Sequence, residues 1–199
     1  AEFNFMENVD VISGAIKPSV PYVVYPYSSG AYCKEVNGVN TIVVNYPSEQ
    51  SYAPNSFGRD ANLMVGVGET ADATDFHFRN ACGYLVIKLY GNTTVKNITL
   101  SAVDGVSKIA GKATIVTDEN KIPVATMSDE ASSVVTLDCS NGGKGVVLSA
   151  DAANATEFWF ALPPVNIKGG IKIVVTNTNG ATYTKQTTKD VNITRNNVQ

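Results

Sequence analysis

The chain has 199 residues, enough to bury a substantial core without disulfide or metal support. Its 15 Lys and Arg against 18 Asp and Glu give a net charge of −3, and the basic residues are scattered. Nucleic-acid backbones need clustered cations, so nucleic acid is not an expected partner; no apolar run approaches the roughly 18 residues of a membrane helix, so no transmembrane segment is expected either.

From the N-terminus, Phe3 with Phe5 and Val9 with Val11 show period-two alternation. An aromatic, proline-rich stretch follows, Pro21-Tyr22-Val23-Val24-Tyr25-Pro26-Tyr27, whose prolines suit edge strands or an extended segment. Asn37-Gly38 predicts a tight turn into a strand over 39–44. Residues 46–62 have little periodicity and read as a long ordered loop. A strand resumes at 63–67, and the small, acidic stretch 68–74 reads as a linker. The expected N-terminal β domain is therefore 1–74, and the C-terminal β-sandwich domain 75–199.

The second part alternates densely. Phe76 and Phe78 flank His77, and Leu85, Ile87 and Leu89 share one face. Gly91-Asn92 turns the chain into a strand carrying Ile98, Leu100 and Ala102, and Asp104-Gly105 turns it again. Strands are expected at 109–117, 134–137 and 146–148, the last after the turn Asn141-Gly142-Gly143. Phe158, Phe160 and Leu162 face one way and Trp159 the other, before Pro163-Pro164 stops pairing. Asn179-Gly180 joins strands at 171–176 and 182–188, and 191–195 closes the series. Short strands at this spacing with Gly and Asn turns predict an all-β sandwich or barrel. Residues 128–131 and 150–155 have room for one helical turn each.

No catalytic constellation is evident. His77 sits between two phenylalanines and lacks a nucleophile or an orienting partner in sequence. There is no GxSxG element. Gly111-Lys112-Ala113-Thr114 resembles the end of a phosphate loop but lies in a strand pattern without the leading glycine. The acidic pairs Asp118-Glu119 and Asp129-Glu130 lack calcium-loop spacing. Catalytic, cofactor and metal sites are thus all expected to be none. Cys33, Cys82 and Cys139 form no CxxC pair and read as free thiols, with Cys82–Cys139 the alternative pairing. Asn92, Asn97, Asn154 and Asn192 head Asn-x-Ser/Thr sequons. Tyr25, Tyr27, Tyr46 and Tyr52 are the candidate ligand-contact aromatics, against a plainer reading as packing beneath loops. Arg59, in the long loop, is the candidate protease-accessible site.

A series of elements in fixed order is similar to fimbrillin-like proteins. It comprises Val23-Val24-Tyr25-Pro26-Tyr27, Tyr46-Pro47-Ser48-Glu49-Gln50-Ser51-Tyr52, and Phe76-His77-Phe78-Arg79-Asn80-Ala81-Cys82-Gly83-Tyr84-Leu85. It continues with Val95-Lys96-Asn97-Ile98-Thr99-Leu100, Ile109-Ala110-Gly111, Phe158-Trp159-Phe160-Ala161-Leu162-Pro163-Pro164 and Ile193-Thr194-Arg195-Asn196. The resemblance implies two transthyretin-like β-sandwich domains. It implies a type V fimbrial subunit of anaerobic gut or oral bacteria, exported through the outer membrane as a lipoprotein precursor. Such subunits are processed by an Arg-specific protease and joined head to tail to other fimbrial subunits by strand exchange. Host or bacterial surface receptors are further implied partners. The family's opening WxxGD element is missing, so the first sandwich is expected to be either trimmed or completed by strands from elsewhere. A surface carbohydrate- or ligand-binding sandwich is the alternative, and an accessory domain of a secreted enzyme the third reading.

Overall fold

The computed structural model describes residues 19–26 and 30–199. The alternation at Phe3, Phe5, Val9 and Val11, and Tyr27, lie outside the described residues. In chain order the strands begin with β1 (Tyr22–Tyr25), β2 (Tyr32–Val36), β3 (Val39–Tyr46), β4 (Glu49–Ala53), β5 (Ser56–Phe57) and β6 (Met64–Val67). Next come β7 (Arg79–Asn80), β8 (Gly83–Leu89), β9 (Thr94–Ala102), β10 (Gly111–Thr117), β11 (Pro123–Met127) and β12 (Val134–Asp138). The series ends with β13 (Val146–Val147), β14 (Thr156–Leu162), β15 (Val165–Ile167), β16 (Ile171–Asn177), β17 (Thr182–Gln186) and β18 (Val191–Ile193). The chain is all-β. A 3-10 turn at Ala152–Asn154 is capped by the Asp151 carboxylate, which accepts from the Ala153 N–H at 2.9 Å.

Turn chemistry places these strands where the dipeptides indicate. Asn37 and Gly38 both take positive φ, 53° and 78°, the geometry that lets a two-residue loop match strand twist, and β2 pairs with β3 across it. The Asn179-Gly180 turn between β16 and β17 is longer, and in it only Gly180 takes positive φ, 87°.

The strands form a seven-stranded sheet along the path β17-β16-β9-β12-β4-β5, with β13 on β9, and a four-stranded sheet β11-β10-β3-β2. A three-stranded sheet β1-β6-β7 and the pairs β14-β8 and β15-β18 complete the architecture. Residues 197–199 run parallel to β8, with the Tyr84 and Val86 N–H groups donating to the Asn197 and Gln199 carbonyls at 2.9 Å each.

Two cores result. The larger gathers Ile98 and Leu100 of β9, Val135 and Leu137 of β12, and Ile171 and Val175 of β16 against Leu85 and Ile87 of β8 and Phe158, Phe160 and Leu162 of β14. Burying each such side chain contributes on the order of 1.5–3 kcal/mol. The smaller gathers Cys33, Ile42, Val44, Tyr46, Leu63, Val65, Cys82, Ala113, Ile115 and Ala161.

The β8–β14 pair belongs to both cores. Side chains alternate across a strand, so Phe158, Phe160 and Leu162 enter the larger core while Ala161, between them, enters the smaller. Likewise Leu85 faces the larger core and Tyr84 packs on the smaller. This pair is a shared wall.

Strand pairing crosses residues 74/75: β10, from the second part, pairs with β3, and β4, from the first, pairs in parallel with β12. Residues 46–62 are not a long loop but include β4 and β5, paired through Tyr52–Phe57 and Ala53–Ser56 around a turn with Asn55 at φ 55°. Alternation hides there because β4 has only Gln50 buried, while Tyr52 and Ala53 are half-buried. Among the described residues, the named strand that follows Phe76-His77-Phe78 is β7, which begins at Arg79.

Candidate functional site

The residues singled out by the resemblance meet where the two cores join. Tyr46, at the end of β3, is 1% exposed and donates its hydroxyl to the Ala81 carbonyl at 2.9 Å. Four residues on, the Gln50 side chain is 3% exposed and reaches β14. Its amide N–H donates to the Ala161 carbonyl at 2.7 Å, and its amide oxygen accepts from the Ala161 N–H at 3.0 Å. A side-chain amide thereby takes the place of a backbone rung between β4 and β14. Tyr52 packs its ring on Phe158 at a centroid distance of 5.4 Å in the larger core. One short segment, residues 46–52, thus sends a side chain into the smaller core, one to the wall and one against the larger core.

Asn80 is the hub on the other side of the wall. Its amide nitrogen lies within hydrogen-bond distance of the Cys82 carbonyl (3.1 Å), the Tyr84 hydroxyl (2.8 Å) and the Asn196 amide oxygen (2.9 Å). Its own oxygen accepts from the Cys82 N–H at 3.0 Å. Tyr84 in turn donates to Asn62 at 3.0 Å, and the Arg195 guanidinium donates to the Asn80 carbonyl at 3.3 Å. Gly83 must lack a side chain, since a Cβ there would strike the Thr194 carbonyl oxygen. Phe57 stacks on Tyr84 at 5.1 Å and 5°, and Trp159 meets the same ring edge-on. The Trp159 indole N–H donates to Glu157, whose carboxylate also pairs with Lys88 at 2.8 Å; these contacts hold the Glu157 carboxyl below its usual range, the Lys88 hydrogen bond most of all.

The three cysteines are free and buried, Cys82 in the smaller core and Cys139 in the larger, so the alternative Cys82–Cys139 pairing does not occur. Burial pushes the thiols up from an ordinary 9.0, Cys33 to about 11 and Cys82 and Cys139 to about 12. These are packing groups, since a reactive cysteine needs an accessible thiolate. Burial, helped by Cys82, also raises the Tyr46 hydroxyl well above its usual value. Among the described residues no group of three His, Cys, Asp or Glu side chains is placed to hold a metal ion.

The candidate aromatics are not brought together. Tyr46 belongs to the smaller core, Tyr52 packs on the larger, and Tyr25 lies half-buried on β1, edge-on to Phe78 at 6.5 Å. His77 is exposed. Arg59 and Asp60 are exposed at the turn after β5, but Gly58 on one side and Ala61, Asn62 and Leu63 on the other are buried. The Ala61 N–H donates to the Gly58 carbonyl at 3.1 Å across that turn. The roles of Gln50, Asn80 and Asn62 carry no sequence signal of their own; only the quoted resemblance marks the first two.

No protein-family model matches the chain, and no curated protein matches it. A crystal structure from Bacteroides ovatus, of a protein whose assignment to cell adhesion is itself provisional, is similar at a TM-score of 0.45 and 14% identity. The likeness covers 91% of this chain and 61% of that one, so the chain spans less than two thirds of its length.

Proposed function

We propose that the chain is a non-enzymatic structural and adhesion subunit of a bacterial surface fimbria, exported through the outer membrane and joined head to tail to other subunits by β-strand exchange. In this reading the two cores are a pair of transthyretin-like sandwiches, and a neighbouring subunit's strand completes the smaller one. Arg59, exposed between buried flanks, is the processing position in this scheme once its turn has opened.

The observation that carries the reading is the half-covered rim of the smaller core. Tyr22 and Val24 of β1, Val67 of β6, and Ala125 and Met127 of β11 pack against that core while remaining partly exposed. Among the described residues β1 pairs with β6 alone and β11 with β10 alone. A strand laid along such an edge gains main-chain hydrogen bonds and covers apolar side chains at once. Repeated head to tail without closure, that contact builds a filament. The convergence of the quoted motifs on inter-core hydrogen bonds also favours a scaffold.

Size-exclusion chromatography and negative-stain electron microscopy, before and after limited trypsin treatment, test the proposal. Ladders or filaments are the expected result. A monomer under both treatments, at high protein concentration, overturns it.

A further inference from the structure

A second feature lies at the mouth of the larger core, beside the edge strand β17. There the sheets part around a cleft of about 370 Å³, floored by Leu148 and Val175 and lined by Tyr90, Asn92, Thr93 and Tyr183. None of the described residues lining it is charged. Tyr183 is the cross-strand partner of Val175, so both project from the core face of the sheet. Val175 is 8% exposed there, yet Tyr183 is 59% exposed, because it stands beyond the cover of β8–β14. Tyr90, just past β8, is 61% exposed.

Two large amphipathic rings left in water beside an apolar floor are suited to a ligand with one apolar face. The polar groups are fixed around them. Thr93 accepts from the buried Asn177 amide at 3.3 Å, which leaves its hydroxyl proton to donate. The Asn92 amide, exposed on the turn, offers both a donor and an acceptor. A neutral lining selects against ions. The volume, about a dozen waters at liquid density, is on the scale of one or two sugar rings.

We propose that this cleft binds a neutral saccharide, with the C–H face of a pyranose on Tyr90 or Tyr183 and its hydroxyls on Asn92 and Thr93. The inference stands on the cleft alone and does not depend on polymerisation. It is tested on the full chain by NMR titration with glucose, galactose, mannose, N-acetylglucosamine and lactose, with glucuronic acid as the charged comparison. The expected result is that at least one neutral sugar shifts the amide signals around residues 90–93 and 183. Tyr90→Ala and Tyr183→Ala, both at exposed positions that leave the fold intact, each weaken it about tenfold or more. No shift at these residues with any neutral sugar, a response to glucuronic acid alone, or binding unchanged in the double variant overturns the proposal. The unsubstituted chain, run in both assays, keeps the two proposals separable: filaments without sugar binding sink only the cleft, and sugar binding without filaments sinks only the fimbrial reading.

Discussion

Gln50 shows how one polar side chain can join two layers. It is the only fully buried residue of β4, and both of its hydrogen bonds go to the backbone of Ala161. Gln50→Leu keeps the apolar stem but leaves a buried N–H and a buried carbonyl unpaired, at roughly 1–3 kcal/mol each. Urea titration should show a loss of about 2–4 kcal/mol; a loss under about 0.5 kcal/mol, the range of ordinary surface changes, would mean that the rung carries no weight. The cysteines make a pH prediction. A thiol raised from 9.0 to about 11 or 12 keeps its proton in the folded chain after the unfolded chain has released it. The folded state then binds more protons than the unfolded one, so stability falls with rising pH. That contribution is complete below pH 9 and is lost between pH 9 and about 12. Urea midpoints should therefore be level from pH 7 to 8 and drop by pH 10, with a smaller drop in Cys82→Ala. The thiols should also resist iodoacetamide at pH 8 until denaturant is added.

At the scale of elements, the strands that were legible in sequence are those whose large apolar side chains recur at every second residue. β8, β9 and β14 alternate cleanly because each turns every second residue into the larger core. β4 and β5 escaped because their contacts are polar or aromatic rather than periodic, and a strand held by a glutamine leaves no hydrophobic pattern. Phe76 and Phe78 are half-buried at the expected period, on either side of the exposed His77. The inter-core site was legible only as quoted motifs, since nothing in the composition of 46–52 says that Tyr46 and Tyr52 serve different cores. The candidate aromatics Tyr25, Tyr46 and Tyr52 fell in separate places, and nothing in the sequence singled out Tyr90 or Tyr183. The β5–β6 turn carries a prediction of its own. Proteases need several residues of extended, accessible chain, and the flanks of Arg59 are buried. Limited trypsin on the native chain should cut after Lys144, in the exposed turn 141–144, well before it cuts after Arg59. Peptide mapping over time checks the order, and first cleavage at Arg59 would show that the turn opens more readily than its burial indicates.

For the whole molecule, the interleaving of the two parts decides how it unfolds. Residues 75–199 alone would lack β3, leaving one edge of β10 unpaired, and would lack β4, taking Tyr52 from Phe158 and Gln50 from Ala161. Expressed separately, that fragment should show no cooperative thermal transition by circular dichroism. The full chain should unfold in one step, with Trp159 fluorescence and far-ultraviolet circular dichroism giving the same midpoint. Separate midpoints would mean that the cores melt independently despite the common wall. That wall also bears on folding errors. A strand that slips by one residue sends every side chain to the opposite face. In most sheets only one of those faces penalises the mistake. If β14 slipped against β8, Phe160 would be forced into the space that fits Ala161, and Ala161 would leave a void where Phe160 belongs. Misalignment is therefore rejected from both sides, by overcrowding in one core and by emptiness in the other, and the partition proofreads its own assembly.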